Sequence, residues 1–407
     1  MPGPLHHSPV ANGPPPHPGE EQLTDPIRAL LSAAAVRARA HEMLDLALAG
    51  KVEGWRVELD RLADAADLTA AVTRENYPDL DIPFHARARH FVAGAPRLPE
   101  GDAAERGRAA FDLVILSVLL DAGTGPGWRY VDPVSGGTYT RSEGLAVASQ
   151  RMAEAGELND LTGLDAARLA RGFQVSADNP LAGLDGRAAL LRRLGAQVQA
   201  RPDLFPGGRP GGLYDTLAGR AANGTLPAPL ILEALLEALG PIWADRLRID
   251  GVDLGDCWRH PAIRRDDATD GLVPLHKLSQ WLSYSLIEPL EEAGIKVTDV
   301  DGLTGLAEYR NGGLFVDLGV LALGDPADAA REHHVSDPLI VAWRAMTVAL
   351  LDLMAPLVRE RLGVDAASFP LARMLEGGSW AAGRRIAAEK RPGGGPPFTI
   401  ISDGTVF

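Results

Sequence analysis

Residues 275–321 read L-H-K-L-S-Q-W-L-S-Y-S-L-I-E-P-L-E-E-A-G-I-K-V-T-D-V-D-G-L-T-G-L-A-E-Y-R-N-G-G-L-F-V-D-L-G-V-L, and this stretch decides the class of the fold. Leu275, Leu278, Leu282, Leu286 and Leu290 recur every three or four residues, which lays one apolar stripe along a helix. Lys277, Gln280, Tyr284 and Glu288 recur with the same period on another side. The ordinary meaning of such a polar side is a solvated face. Here Trp281 and Tyr284 accompany it, and two large aromatics are poorly spent on water, so that side reads as the wall of a polar cavity. An acidic, glycine-broken turn with Asp299 and Asp301 follows, then Glu308-Tyr309-Arg310 and an apolar run. Asp301 precedes Gly302-Leu303-Thr304 as a helix cap would. As a cap it would place Glu308 nearly two turns further, roughly 10 Å along the axis and on the same face. A carboxylate there can steady oxocarbenium-like charge or orient water, as in glycoside hydrolysis. The competing reading of Glu308 is an ion pair with its neighbour Arg310.

Composition bounds what this segment can serve. A chain of 407 residues, 46% hydrophobic and 23% charged, has the make-up of a globular protein with a sizeable core. It reads as a single large α-rich domain over 24–407, or as two intimate subdomains at 24–215 and 216–407. The net charge of −14, from 54 acidic and 40 basic residues, disfavours a nucleic-acid surface. Cys257 is the single cysteine, which excludes an intramolecular disulfide or thiolate cluster and fits a reducing cytosol. Residues 1–23 are proline-rich without the apolar centre of a signal peptide, so a disordered leader is expected there. No apolar run is expected to reach the ~18–20 residues of a membrane helix. The expectation is a cytoplasmic protein with neither membrane nor nucleic acid as partner.

Around the opening segment, helices are expected over 26–49, started by Thr24-Asp25-Pro26, and over 54–74 and 104–120. Another should run from a Ser142 cap to Ala155. Two short ones lie between Leu164 and Ala200, and two more span 228–239 and 337–362. Strand-like stretches are few, and the tail F-T-I-I-S-D-G-T-V-F suggests a hairpin about Asp403-Gly404. The class is mainly α with minor β.

Several known machines are absent. There is no G-x-x-x-x-G-K-[ST], no G-x-S-x-G and no H-E-x-x-H, and glycines 123, 125 and 127 have the wrong spacing for a dinucleotide fold. Adjacent His333 and His334 would diverge on a helix. Neither a metal nor a cofactor is expected. Arginine clusters do stand out in so acidic a chain: Arg87/Arg89 with His90, Arg129/Arg141 beside Trp128, Arg209 near Tyr214, and Arg384/Arg385. A guanidinium matches a phosphate bidentately, although surface salt bridging is the plainer reading of each.

With these residues in view, the chain resembles the uracil-catabolism protein four family over nearly everything after the leader. The resemblance is carried by F-H-A-R-A-R-H-F at 84–91, D-A-G-T-G-P-G-W-R-Y at 121–130 and R-P-G-G-L-Y-D at 209–215. It continues with H-K-L-S-Q-W-L-S-Y-S-L at 276–286, G-L-A-E-Y-R-N-G-G-L at 305–314 and G-G-G-P-P-F-T-I-I-S-D-G-T-V-F at 393–407. It implies a role in uracil breakdown, in a route where a cyclohydrolase-like enzyme opens the ring of a uridine nucleotide and a ribosylurea-type compound must release urea. Over residues 277–321 the chain is also similar to the queuosine-salvage N-ribohydrolases, through Lys277, Gln280, Leu303-Thr304, Ala307, Tyr309-Arg310 and Gly319-Val320-Leu321. That likeness implies a helical, DNA-glycosylase-like core and cleavage of an N-ribosidic bond. Those proteins carry aspartate where Glu308 stands, and an apolar, proline-containing continuation where Asn311-Gly312-Gly313 stands.

Together these imply a hydrolase that splits the N-ribosidic bond of a ribosylurea or its phosphate, a nucleoside or nucleotide derivative, and frees urea. Glu308 is the expected catalytic carboxylate, with Asp301 as the alternative. Lys277, Gln280, Tyr284 and Tyr309 are expected to hold the leaving urea or the ribose hydroxyls. Arg310 and Arg89 would meet a phosphate, and His90, Trp128, Arg129 and Tyr214 would complete the substrate contacts. The alternatives are a non-catalytic partner of the cyclohydrolase-like enzyme, and an amidohydrolase acting on another ring-opened intermediate.

Overall fold

In the computed structural model, which describes residues 25–91, 101–125 and 127–401, the chain is mainly α-helical, as its periodicity indicates. The helices in order are α1 (Ala33–Leu48), α2 (Leu62–Asn76), α3 (Ala103–Leu119), α4 (Arg141–Glu154), α5 (Ala166–Gly172), α6 (Leu184–Ala200) and α7 (Leu213–Arg220). They continue with α8 (Ala228–Leu239), α9 (Lys277–Glu292), α10 (Tyr309–Asp317), α11 (Pro338–Leu362), α12 (Leu371–Met374) and α13 (Trp380–Lys390). A π turn, Leu375–Ser379, joins the last two. Strands are two or three residues long and occur only as two-stranded pairs among the described residues. Those used below are β1 (Trp55–Val57), β2 (Arg129–Val131) and β3 (Thr138–Thr140).

The architecture is organised around α11. Its residues are apolar all round because α1, α2 and α10 cover it from different sides. By length and composition α11 could cross a bilayer, contrary to the sequence expectation, but 78% of its most apolar window is buried inside the fold. On a second level α9 packs between α3 and α8, and α4 lies on α3. One continuous apolar core runs from Ala33 to Phe398. The close approach of α10 and α13 depends on Gly383, where a Cβ would fall on the Arg310 carbonyl.

Local departures from expectation have local causes. The first α-helix begins at Ala33, not at 26, because Ser32 is its cap, accepting from the Ala35 N–H at 3.2 Å. The helix expected from 54 begins only at Leu62. Trp55-Arg56-Val57 instead pair antiparallel with Leu323-Ala322-Leu321, and the Trp55 indole donates to the Leu339 carbonyl at 2.9 Å. Ser142 does not cap α4: Thr140 is the cap residue, and the Ser142 hydroxyl serves Arg87 and His90. The first arm of the expected C-terminal hairpin is a strand, Thr399–Ile400, but it pairs parallel with Glu332–His333. The turn expected at 403–404 lies outside the described residues, as does the leader at 1–23.

Candidate functional site

The start of α9 is unusual, and that is where the site begins. His276, its cap residue, has φ +48° and offers the helix no side-chain cap. The cap comes from elsewhere: Asp256 Oδ2 accepts the Lys277 N–H at 2.9 Å. Asp256 is in turn gripped by Arg344 of α11, with Nη1–Oδ1 2.8 Å and Nη2–Oδ2 2.7 Å, and by the Trp258 indole at 2.7 Å. Burial works against this carboxylate, but the Arg344 guanidinium outweighs it and holds the carboxyl well below the usual range. Arg344 Nε also donates to the Ala307 carbonyl at 3.3 Å. One guanidinium therefore fixes Lys277 and the chain leading into Glu308 relative to each other.

Glu308 caps α10. Its Oε2 accepts the Arg310 N–H at 2.7 Å and its Oε1 accepts the Asn311 N–H at 2.5 Å. Burial pushes its carboxyl above the ordinary range, opposed by those two N–H groups and by the charges of Lys277 and His85. Burial likewise depresses the Lys277 amine, with Asp121 and Glu308 opposing. Asp121 follows α3 and pairs with Arg87 at 3.1 Å. Burial would raise its carboxyl, but Arg87 and Lys277 together hold it low. Lys277, Asp121, Tyr309 and His90 are set deep in the fold yet keep accessible surface, as groups do that line a recess rather than a packed core.

Aromatic rings wall this recess. The Trp281 ring lies 6.0 Å from His85, near parallel at 29°, and 5.9 Å from His90, and the Arg87 guanidinium sits 5.5 Å from its centroid. Trp380 lies 6.4 Å from His85. His85 Nδ1 is 2.7 Å from Glu376 Oε2, and the Tyr77 hydroxyl donates to Glu376 Oε1 at 3.3 Å. Three donors, Gln280 Nε2, Trp281 Nε1 and Arg310 Nε, are buried with no acceptor among the described residues. A buried donor left alone costs ~1–3 kcal/mol, so a ligand bearing acceptors would be welcomed by them. Asp121, His85, Trp380 and Glu376 were not among the expected site residues. They stand far from 275–321 in the chain, and only the fold brings them to it, whereas Trp281 falls within that segment and Arg87 in the arginine cluster with His90.

The expected residues divide. Lys277, Gln280, Glu308, Tyr309, Arg310 and His90 belong to this neighbourhood. Gln280 Oε1 accepts the Thr304 N–H at 3.3 Å. Arg310 stacks on Tyr309 at 4.8 Å and donates to the Gly394 carbonyl at 2.7 Å. The others are engaged structurally. Asp301 is not a cap and shares no helix with Glu308. It sits inside a short 3₁₀ turn, accepting from the Leu371 N–H at 2.6 Å and pairing with Arg359 at 3.0 Å. Tyr284 is fully buried, its hydroxyl donating to the Thr304 carbonyl at 3.0 Å. Arg89 is paired with Glu288. Trp128 is a core residue whose indole donates to the Phe173 carbonyl at 3.1 Å, and Arg129 points outward from β2 beside it. Tyr214 packs edge-on against Phe111 at 5.7 Å.

A cavity of about 490 Å³ lies between α3, α4 and α6, away from these groups. Its acids are all occupied. Asp112 accepts from Arg209 and the Gly211 N–H, Glu154 from Gln150 and Arg151, and Asp160 from Thr162 and the Gly163 N–H. It offers volume without poised chemistry, so the charged cluster around Lys277, Asp121 and Glu308 is the candidate site. Among the described residues no three His, Cys, Asp or Glu side chains converge in a way that could hold a metal ion.

A family described as a protein of unknown function, DUF1688, matches residues 29–407. The chain belongs to this family. Among its relatives, Protein urg3 of Schizosaccharomyces pombe is 40% identical over 412 residues, covering 94% of this chain and 100% of that protein. Uracil catabolism protein 4 of Lachancea kluyveri is 37% identical over 440 residues, covering 95% and 100%. The likeness thus embraces every element that builds the recess, from α2 to α13, and agrees with the resemblance carried by the motifs at 84–91, 121–130, 209–215 and 276–314.

Proposed function

We propose that this DUF1688 member acts in uracil catabolism by hydrolysing the N-ribosidic bond of a ribosylurea or its phosphate, releasing urea. The relative named Uracil catabolism protein 4 supports the pathway, and the likeness of residues 277–321 to N-ribohydrolases supports the bond. The observation that carries the chemistry is the buried Glu308 carboxylate facing Lys277, which also meets Asp121, beside the Trp281 and His85 rings. Breaking a C1′–N bond builds positive charge on the ribosyl carbon. A carboxylate fixed by two backbone N–H groups meets that charge without reorganising, which is the efficient form of electrostatic catalysis. Glu308 also orients the water that captures the cation. Lys277 and Gln280 Nε2, which has no acceptor among the described residues, hold the urea carbonyl or ribose hydroxyls, and Tyr309 with Arg310 closes one side.

Urea release from synthetic ribosylurea and from its 5′-phosphate tests this directly. Glu308→Gln should lower the rate by ~10²-fold or more, the usual scale for such a group. Turnover of neither substrate, or full activity in Glu308→Gln, would overturn the reading.

A further inference from the structure

Urea is a poor leaving group as an anion, so the reaction proposed above needs an acid, and Glu308 and Lys277 are already committed to other duties. We propose, resting on that reading, that His85 protonates the departing nitrogen and that Glu376 is the residue that positions it.

The geometry leaves His85 one free nitrogen. Nδ1 lies 2.7 Å from Glu376 Oε2, and an ionised carboxylate only accepts, so Nδ1 carries a hydrogen and Nε2 alone can exchange a proton with a ligand. Burial works to raise the Glu376 carboxyl, but His85 and the Tyr77 hydroxyl outweigh it and hold it below the ordinary range. The His85 N–H donates to the Ala372 carbonyl at 3.2 Å, which fixes the backbone as well.

Glu376 owes its place to the π turn. The extra residue in that turn rotates Glu376 off the register that α12 would give it, a device recurrent at functional sites. The wide turn fits because Gly377 and Gly378 lie directly against Thr69, Thr73 and Ile82, with no room there for a Cβ.

Two carboxylates, Glu376 and Glu308, act on the His85 ring, which lies 6.0 Å from Trp281 at 29° and 6.4 Å from Trp380. The other ionisable groups facing it are Tyr77, hydrogen-bonded to Glu376, and His90, which burial and Arg87 push down to about 4 and so keep neutral. Arg87 itself is held on the Trp281 ring by Ser117, Ser142 and Asp121.

The step balances. As the C1′–N bond breaks, its electron pair goes to nitrogen, which takes the Nε2 proton and leaves as neutral urea. Water adds to C1′ and loses its proton to the Glu308 carboxylate, which releases it to solvent as solvent returns one to His85.

The test uses the full chain with ribosylurea and 4-nitrophenyl β-ribofuranoside, whose leaving group needs no proton. His85→Gln should lose roughly 10²–10⁴-fold in urea release, with nitrophenolate release changed only a few-fold. Glu376→Gln should keep KM and move the alkaline limb of kcat down by roughly one pH unit or more, as removal of a neighbouring opposite charge does. Thermal melts of both variants establish that they fold. Equal loss on both substrates, or an alkaline limb that stays in place in Glu376→Gln, overturns the acid role while leaving the ribosylurea reading intact. If the aryl riboside is refused, the pH profile decides alone. If the unaltered protein releases no urea, the parent reading falls and this one with it.

Discussion

Glu308 closes α10 and, on the proposed reading, also faces the chemistry, and the two duties are separable by substitution. In Glu308→Gln the amide can still accept one backbone N–H but presents NH₂ to the other, so about 1 kcal/mol of stability should go with the activity. Because burial raises this carboxyl, the acid limb of kcat/KM should lie above pH 4.5, where an ordinary glutamate would sit, and a limb below that value would contradict the assignment. Asp301→Asn should behave oppositely, keeping turnover while losing stability, because its carboxylate is bound to Arg359 and the Leu371 N–H. Arg344→Met leaves Asp256 buried without its partner and should cost ~3–5 kcal/mol in guanidinium unfolding. Five of the site residues, Lys277, Gln280, Glu308, Tyr309 and Arg310, were readable because they fall in one short segment with helical spacing. Glu376 and Asp256 were not, since nothing in their own neighbourhoods distinguishes them from a turn, and His85 and Asp121, though inside the motifs at 84–91 and 121–130, were not tied to this segment by any spacing.

Among elements, the close crossing of α10 and α13 is the most exposed to change. Gly383→Ala would place a methyl on the Arg310 carbonyl, and Gly312→Ala would bring a Cβ to 2.7 Å from the Trp343 ring. Overpacking of this kind typically costs ~1–3 kcal/mol. Gly383→Ala should also reduce urea release, because Glu308 moves with the first turn of α10. Retained activity at lowered Tm would show that the crossing only supports the fold. The same contacts account for Asn311-Gly312-Gly313: the asparagine carbonyl accepts from Ser379 at 2.9 Å, and the glycine lets Trp343 lie on the helix. Apolar periodicity located α8 and α11 to within a residue or so, because each buries a long continuous surface. It failed at 55–59, where Trp55, Val57 and Leu59 alternate by two. That is a strand pattern, but the partner at Leu321–Leu323 is too remote in the chain to be read beside it.

For the molecule as a whole, buried histidines set the response to acid. Burial pushes His90 and His260 from 6.5 to about 4 and also lowers His276. An imidazole depressed in the folded state is protonated first in the unfolded chain, so stability is lost as pH falls from about 6.5 toward 4. The depressed carboxylates Asp121, Asp256 and Glu376 extend that loss to lower pH, while Glu308 and Glu288, raised by burial, offset part of it. Calorimetric Tm should therefore drop steadily below pH 6.5, and a flat profile down to pH 4 would be inconsistent with these burials.

The pairing of His85 with Glu376 spans 291 positions of sequence. Closing so long a loop comes late when a chain folds, whereas helices such as α8 and α11 can form locally and early. On the proposed reading, urea release is then a clock for the last stage of folding. In refolding from guanidinium, far-ultraviolet circular dichroism should recover well ahead of catalysis, and simultaneous recovery would mean that the two ends of the chain meet sooner than their separation suggests.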